Sequence, residues 1–212
     1  MTYTIAVSVP EKQLLGLATA SRSLAVGAGV LALRAGVGAV ASQAYTNRSL
    51  RTYALSRLES GDSPQQIVDS LPAVDSRSEI RQLAIIDAQG RHASYTGEAC
   101  SAHVASASSE GAVAVGNLLA GPHVIAEMME SYRRSTTATT PEELGAALLQ
   151  ALSAGDAAGG DIRGRQSAAL IVTRAGVTEA GLPYDDIDLR VDDHDDPVAE
   201  LRRLFDLQLG TQ

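Results

Sequence analysis

The chain is almost without aromatic side chains: 212 residues hold no tryptophan, one phenylalanine, and 3% Phe, Trp and Tyr together. A core without rings has to be filled by Ala, Val, Leu and Ile, which supply most of the 45% hydrophobic content. Cysteine is nearly absent too. Cys100 stands alone, so no disulfide can form within the chain, which fits a reducing compartment and leads us to expect a cytoplasmic protein. Lysine is the third scarcity: Lys12 is the single lysine among seventeen basic residues, which removes a lysine general base from nearly every position. There is no charged start followed by an apolar core as in a signal peptide, and no apolar run long enough to cross a bilayer. The nearest, Leu24 to Val40, is interrupted by Arg34 and several glycines and reads as buried strands. Basic charge is in deficit overall. A net charge of −8 and a pI near 4.9 exclude nucleic-acid binding through a basic face.

What is present is a clear alternation of patterns. Tyr3–Val9 and Leu14–Ser21 read as strands joined by a turn at Pro10–Lys12. Val26–Leu33 and Gly36–Ala44 read as two more, and Gly36–Ala41 lacks polar alternation, as a strand buried on both faces does. Helical spacing then takes over at Leu50, Tyr53, Ala54 and Leu58, and Ser63-Pro64 opens a second helix as N-cap and first-turn proline. Hairpins are expected over Arg81–Thr96 and Ala102–Gly116, helices over Val124–Tyr132 and Glu142–Ser153, strands at Ser167–Thr173 and Asp186–Val191, and a closing helix from Pro197. Helix pairs between blocks of strands fit one α+β domain over residues 1–212, with two sheets packed face to face and helices outside.

Several residue groups carry possible chemistry. Thr2 directly follows the initiator methionine. Once Met1 is removed, one residue would hold both a hydroxyl nucleophile and an α-amine, whose ordinary pKa of about 7.7–8.0 suits a general base. Gly116-Asn117 follows a strand; the Asn117 amide or the Gly116 N–H could form an oxyanion hole, or Asn117 could simply shape the turn. Gly159-Gly160-Asp161 with Arg163, Arg165 and Gln166 is a polar, glycine-rich approach to an apolar strand. It could hold a carboxylate or amide substrate, or be a salt-bridged loop. Asp185–Asp196 is rich in aspartate, but its spacing does not match a calcium loop, and Asp196 before Pro197 reads as a helix cap. His92, His103, His123 and His194 are scattered, without zinc spacing. We expect no metal and no cofactor. Cys100 reads as a small buried hydrophobe.

The chain resembles the domain-of-unknown-function family numbered 1028, a branch similar to the N-terminal nucleophile (Ntn) hydrolases. The resemblance is carried by Ala18-Thr19-Ala20-Ser21-Arg22, by Arg34 to Gln43, by Arg81-Gln82-Leu83-Ala84-Ile85-Ile86-Asp87, by Gly116-Asn117-Leu118-Leu119-Ala120-Gly121, by Ala157 to Ala169, and by Asp188 to His194 with Pro197-Val198. It covers nearly the whole chain. It implies a four-layer αββα sandwich and amide hydrolysis or acyl transfer by the N-terminal residue. The site would then comprise Thr2 as nucleophile and base, Asn117 as oxyanion donor, Arg22 and Asp161 as electrostatic support, and Gly116, Arg163, Arg165 and Gln166 around a small-molecule substrate. Proteasome-like relatives place a lysine beside the nucleophile; here Lys12 lies in a turn away from it, and arginine cannot shuttle a proton. The alternative is a ligand-binding or scaffold protein that keeps the fold without the chemistry. The apolar stretch Leu24–Val40 and the apolar stripe of the closing helix, with no second layer evident after it, point to a homodimer.

Overall fold

The computed structural model describes residues 2–101, 103–135, 138–176 and 186–210. Its framework is two antiparallel sheets. The first contains β1 (Thr2–Val9), β2 (Leu14–Ser21), β7 (Ala105–Ser109), β8 (Ala112–Asn117), β9 (Ser167–Arg174) and β10 (Ile187–Val191), in the order β10-β9-β2-β1-β8-β7. The second is β3 (Leu31–Arg34), β4 (Gly38–Ala44), β5 (Arg81–Asp87) and β6 (His92–Thr96), in that order.

The period of a strand explains the layering. Along β1, Tyr3, Ile5, Val7 and Val9 point outward into a cluster with helices α4 (His123–Arg134), α5 (Pro141–Ala157) and α6 (Pro197–Gly210). Ala6 joins the opposite cluster, where Leu17, Val113, Val115 and Ala169 of the first sheet meet Ala39, Ala41, Ala84 and Ile86 of the second. Alanine at so many of these positions lets the sheets approach closely, as expected for a core without rings. Helices α2 (Ser49–Glu59) and α3 (Pro64–Val74) cover the outer face of the second sheet through Leu50, Leu58, Ile67 and Leu71. The result is the αββα sandwich. Both hairpins are present, as is the cap on α3: Ser63 Oγ accepts from the Gln66 N–H, and Gln66 reaches back to the Ser63 N–H.

One expected strand is different. Val26–Val30 is a helical turn, α1, and only Leu31–Arg34 is extended. The chain enters the turn through Ala25 in a left-handed conformation (φ 53°). Gly27 lies so close to β9 that a Cβ there would be 2.4 Å from that of Ala169. Arg51 Nη1 donates to the Ala28 and Leu31 carbonyls and closes the turn. These are tertiary contacts, which an apolar run of Val, Ala and Gly does not announce.

Most apolar positions of the stretches that pointed to a dimer find their cover within the chain, Leu24, Leu207 and Leu209 excepted. Val26, Val30, Leu31, Ala39 and Val40 are buried, as are Val198, Leu201 and Phe205 of α6. Asp196 Oδ1 accepts from the Ala199 N–H and caps that helix. The acidic stretch at 185–196 lies partly outside the described residues. No described helix is long and apolar enough to cross a membrane.

Candidate active site

β1 and β2 are the central strands of the larger sheet, and register fixes what meets at their ends. Thr2 is the cross-strand partner of Asn117 on β8, while on its other side Tyr3 pairs with Ala20, one residue before Ser21. The Thr2 hydroxyl donates to Ser21 Oγ at 3.3 Å. Thr2, Thr4 and Asn117 project between the sheets, and the second sheet answers with two fully buried glutamines, Gln43 on β4 and Gln82 on β5, themselves cross-strand partners.

The amides form a connected network. Gln43 Nε2 donates to the Thr2 carbonyl (3.1 Å) and to Gln82 Oε1 (2.8 Å), and Gln43 Oε1 accepts from the Thr4 hydroxyl (2.7 Å). Gln82 Nε2 donates to the Gly116 carbonyl (2.9 Å) and to Thr96 Oγ1 (3.0 Å), while its Oε1 also accepts from Asn117 Nδ2 (3.0 Å). Thr4 and Thr19 share a 2.7 Å hydrogen bond. Polar groups so deep in an apolar layer are costly unless paired, and these are paired.

Beside Asn117, the cross-strand partner of Thr2, opens a cleft of about 280 Å³, lined among others by Ser23, Tyr45, Cys100, Ser101, Asn117 and Arg163. Among the described residues that line it, none is acidic and one, Arg163, is cationic and paired with Asp161. Two of the five described non-glycine residues with positive φ line it, Ala44 and Leu118. Such conformations cost about 1–3 kcal/mol each and persist only where the surroundings enforce them. The Leu118 strain follows directly after Asn117, which is itself extended at the end of β8. A larger cleft of about 590 Å³ lies at the other end of β1, beside Val9 and Pro10, far from this network.

The other expected residues fall into two groups. Asp161, buried, accepts from the Arg22 backbone N–H (2.6 Å) and from the Arg163 backbone N–H (2.9 Å), and pairs with the Arg163 guanidinium through Nε (3.2 Å) and Nη2 (3.1 Å). The Arg22 guanidinium donates to the Arg163 carbonyl (2.9 Å). Asp161 therefore ties the end of β2 to the loop that carries Arg163 into the cleft wall. Arg165 and Gln166 turn elsewhere. Arg165 pairs with Asp156 on α5 (2.8 Å), which also accepts from the Tyr3 hydroxyl (3.2 Å), and Gln166 donates to Asp193 (3.1 Å). Burial, helped by the Asp156 carboxylate, holds the Tyr3 phenol well above its usual range. Gly116 gives its carbonyl to Gln82, and a Cβ there would be 2.7 Å from Leu119.

Cys100 is half-buried in the cleft wall rather than sealed in the core, and donates to the Arg81 carbonyl at 3.3 Å. Burial raises its thiol pKa, the opposite of what a thiolate nucleophile needs. Lys12 sits in the 3₁₀ turn after β1, at the far end of that strand from Thr2. His194 accepts from the Asp196 N–H in a local turn. The residues that sequence reasoning missed are Gln43, Gln82 and Ser21. A lone amide in each of two apolar strands was the signal, but only the register makes the two amides partners.

A family model described as "family of unknown function (DUF1028)" matches residues 2–201. Among solved structures, a DUF1028 protein from Silicibacter pomeroyi is 30% identical, with a TM-score of 0.85 over 97% of this chain and 88% of that one. Anbu, an ancestral β-subunit, from Yersinia bercovieri, aligns over 99% of this chain and 95% of its own at 14% identity and a TM-score of 0.44. No curated protein matches the chain.

Proposed function

We propose, for a chain that belongs to the DUF1028 family, an Ntn-type amidohydrolase acting on a small amide, with Thr2 as its nucleophile once Met1 is removed. The observation that carries this reading is the meeting of Thr2, Ser21 and Asn117 at the head of the central strands, beside a cleft of small-molecule size. The freed α-amine takes the Thr2 hydroxyl proton as Oγ1 attacks the amide carbonyl. Asn117, which spends one Nδ2 proton on Gln82, offers the other to the developing oxyanion. The amine returns its proton to the leaving nitrogen as the C–N bond breaks, and water then hydrolyses the ester on Thr2. Arg163, paired with Asp161 and bonded through its carbonyl to Arg22, lines the cleft and is placed against the substrate. Arg165, Gln166 and Gly116 act indirectly, through the loop and strand that carry their neighbours. We place the protein in the cytoplasm as a homodimer, with exposed Leu24, Tyr45 and Ile162 near the cleft as the apolar contact surface.

The experiment is intact mass followed by hydrolysis of an amide panel. Loss of one methionine exposes the amine, whereas retention of Met1 overturns the mechanism. One observation favours a second reading, a binding protein that has kept the sandwich without the chemistry: the lysine that proteasome-like relatives use is missing near Thr2. That reading requires ligand binding without turnover, unaltered by Thr2→Ala.

A further inference from the structure

The direction of each amide in the network is set by groups that can only accept. The Gly116 carbonyl at 2.9 Å requires the nitrogen of Gln82 on that side, so Gln82 Oε1 faces the opposite way. The Thr2 carbonyl at 3.1 Å and the Val115 carbonyl at 3.4 Å require the nitrogen of Gln43 on theirs. Gln82 Oε1 is then an acceptor held between two donors, Gln43 Nε2 at 2.8 Å and Asn117 Nδ2 at 3.0 Å. Asn117 must therefore turn its nitrogen toward Gln82, and its rotamer is no longer free. Both glutamines are fully buried, so water cannot take over these bonds.

We propose that Gln43 and Gln82 are positioning residues for the Thr2 reaction. They form a neutral amide brace that reaches from the second sheet, pins the Thr2 main chain, and fixes which atoms Asn117 presents. This rests on the reading of Thr2 as nucleophile. The brace does by hydrogen-bond direction what a charged side chain does elsewhere by field: it holds the nucleophile and the oxyanion donor in one register. It also explains two amides in otherwise apolar strands, since the sheets' packing alone would be served by Leu or Met.

The test uses the processed full-length protein and a small aliphatic β-lactone as probe. The Thr2 Oγ1–H adds across the lactone carbonyl, the ring C–O bond opens to a hydroxyl, and the chain gains the lactone's mass with nothing released. Gln82→Met keeps the shape and removes the bonds. Gln43→Glu keeps the Thr4 bond and loses the donations to Thr2, Gln82 and Val115. Ser63→Ala, remote on α3, controls for lowered stability. We expect the maximal labelling rate to fall tenfold or more in both glutamine variants, with the half-saturating lactone concentration within threefold of wild type, and wild-type labelling in Ser63→Ala. Should Gln82→Met fail to fold, Gln43→Glu and Gln82→Glu decide the matter by the same readout. Folded glutamine variants labelled at the wild-type rate overturn the positioning role alone. A wild type with its amine exposed but left unlabelled at Thr2 overturns the nucleophile reading, and the brace with it.

Discussion

At the scale of single residues, Thr2 bears the functional claim. Its side chain is buried at a strand end and makes a long hydroxyl contact to Ser21, so its loss should cost about 1 kcal/mol or less. We expect Thr2→Ala to abolish amide hydrolysis while thermal melting stays within a few degrees of wild type, and Thr2→Ser to retain turnover. Hydrolysis by Thr2→Ala at the wild-type rate would remove Thr2 from the mechanism. Asp75 makes a prediction of another kind. It is buried and pairs with Arg81 (2.9 Å), accepts from Asn47 (2.9 Å), and is held down to a pKa of about 2 against an ordinary 3.8, chiefly by the Arg81 hydrogen bond. A depressed carboxylate stabilises the fold above its unfolded pKa, and that stabilisation is lost as the pH falls through the folded value. Asp75→Asn should therefore cost about 2 kcal/mol at neutral pH. Urea titrations should show the gap to wild type closing between about pH 4 and pH 2. A gap that does not change with pH would show that Asp75 is not the titrating partner.

At the scale of elements, caps and close approaches separate what is local from what is not. The Ser63–Gln66 capping box is local, and Ser63→Ala should destabilise by about 1 kcal/mol through fraying of α3. Gly38 opens β4, where an added Cβ would stand 2.5 Å from the Ile86 carbonyl and 2.6 Å from Leu58. The backbone oxygen cannot step aside as a side chain would, so Gly38→Ala should cost about 1–3 kcal/mol by shifting β4 against β5. Urea melts of both variants would check the order: a smaller loss for Gly38→Ala than for Ser63→Ala would mean the strand pair accommodates the methyl. The cap was legible in the sequence as Ser63-Pro64, and the return bond from Gln66 was added by the structure. The close approach at Gly38 was not, because its partner is about fifty residues away along the chain.

At the scale of the whole molecule, the sandwich has buried most of the apolar sequence within one chain, and the question of assembly moves to its surface. Leu24, Tyr45 and Ile162 are 67%, 63% and 58% exposed; Tyr45 lines the cleft, and Leu24 and Ile162 are chain neighbours of the lining residues Ser23 and Arg163. Leu207 and Leu209 remain exposed on α6. A dimer closing over the cleft would cover the first three together. We expect light scattering at low micromolar concentration to give about twice 22.0 kDa, with Leu24→Asp returning it toward the monomer. A mass near 22.0 kDa for the unaltered chain would refute the dimer.

The sequence by itself determined the layering. The period of two in β1, the apolar runs of central strands, the helical stripes and the capped starts are all local patterns that a chain must satisfy before it folds. Alanine in place of aromatics already required thin, close layers. It also placed Thr2 at the head of the first strand and Asn117 at the end of another. Only the tertiary structure decided that these two residues are neighbours, that Val26–Val30 curls where a strand was expected, and that Arg165 and Gln166 turn to Asp156 and Asp193. The physical reason is that each outcome rests on pairing between residues distant in sequence. The register joins Thr2 to Asn117 and Gln43 to Gln82, and a hydrogen bond between sheets, such as Gln43 to the Thr2 carbonyl or Asn117 to Gln82, has no periodicity along the chain.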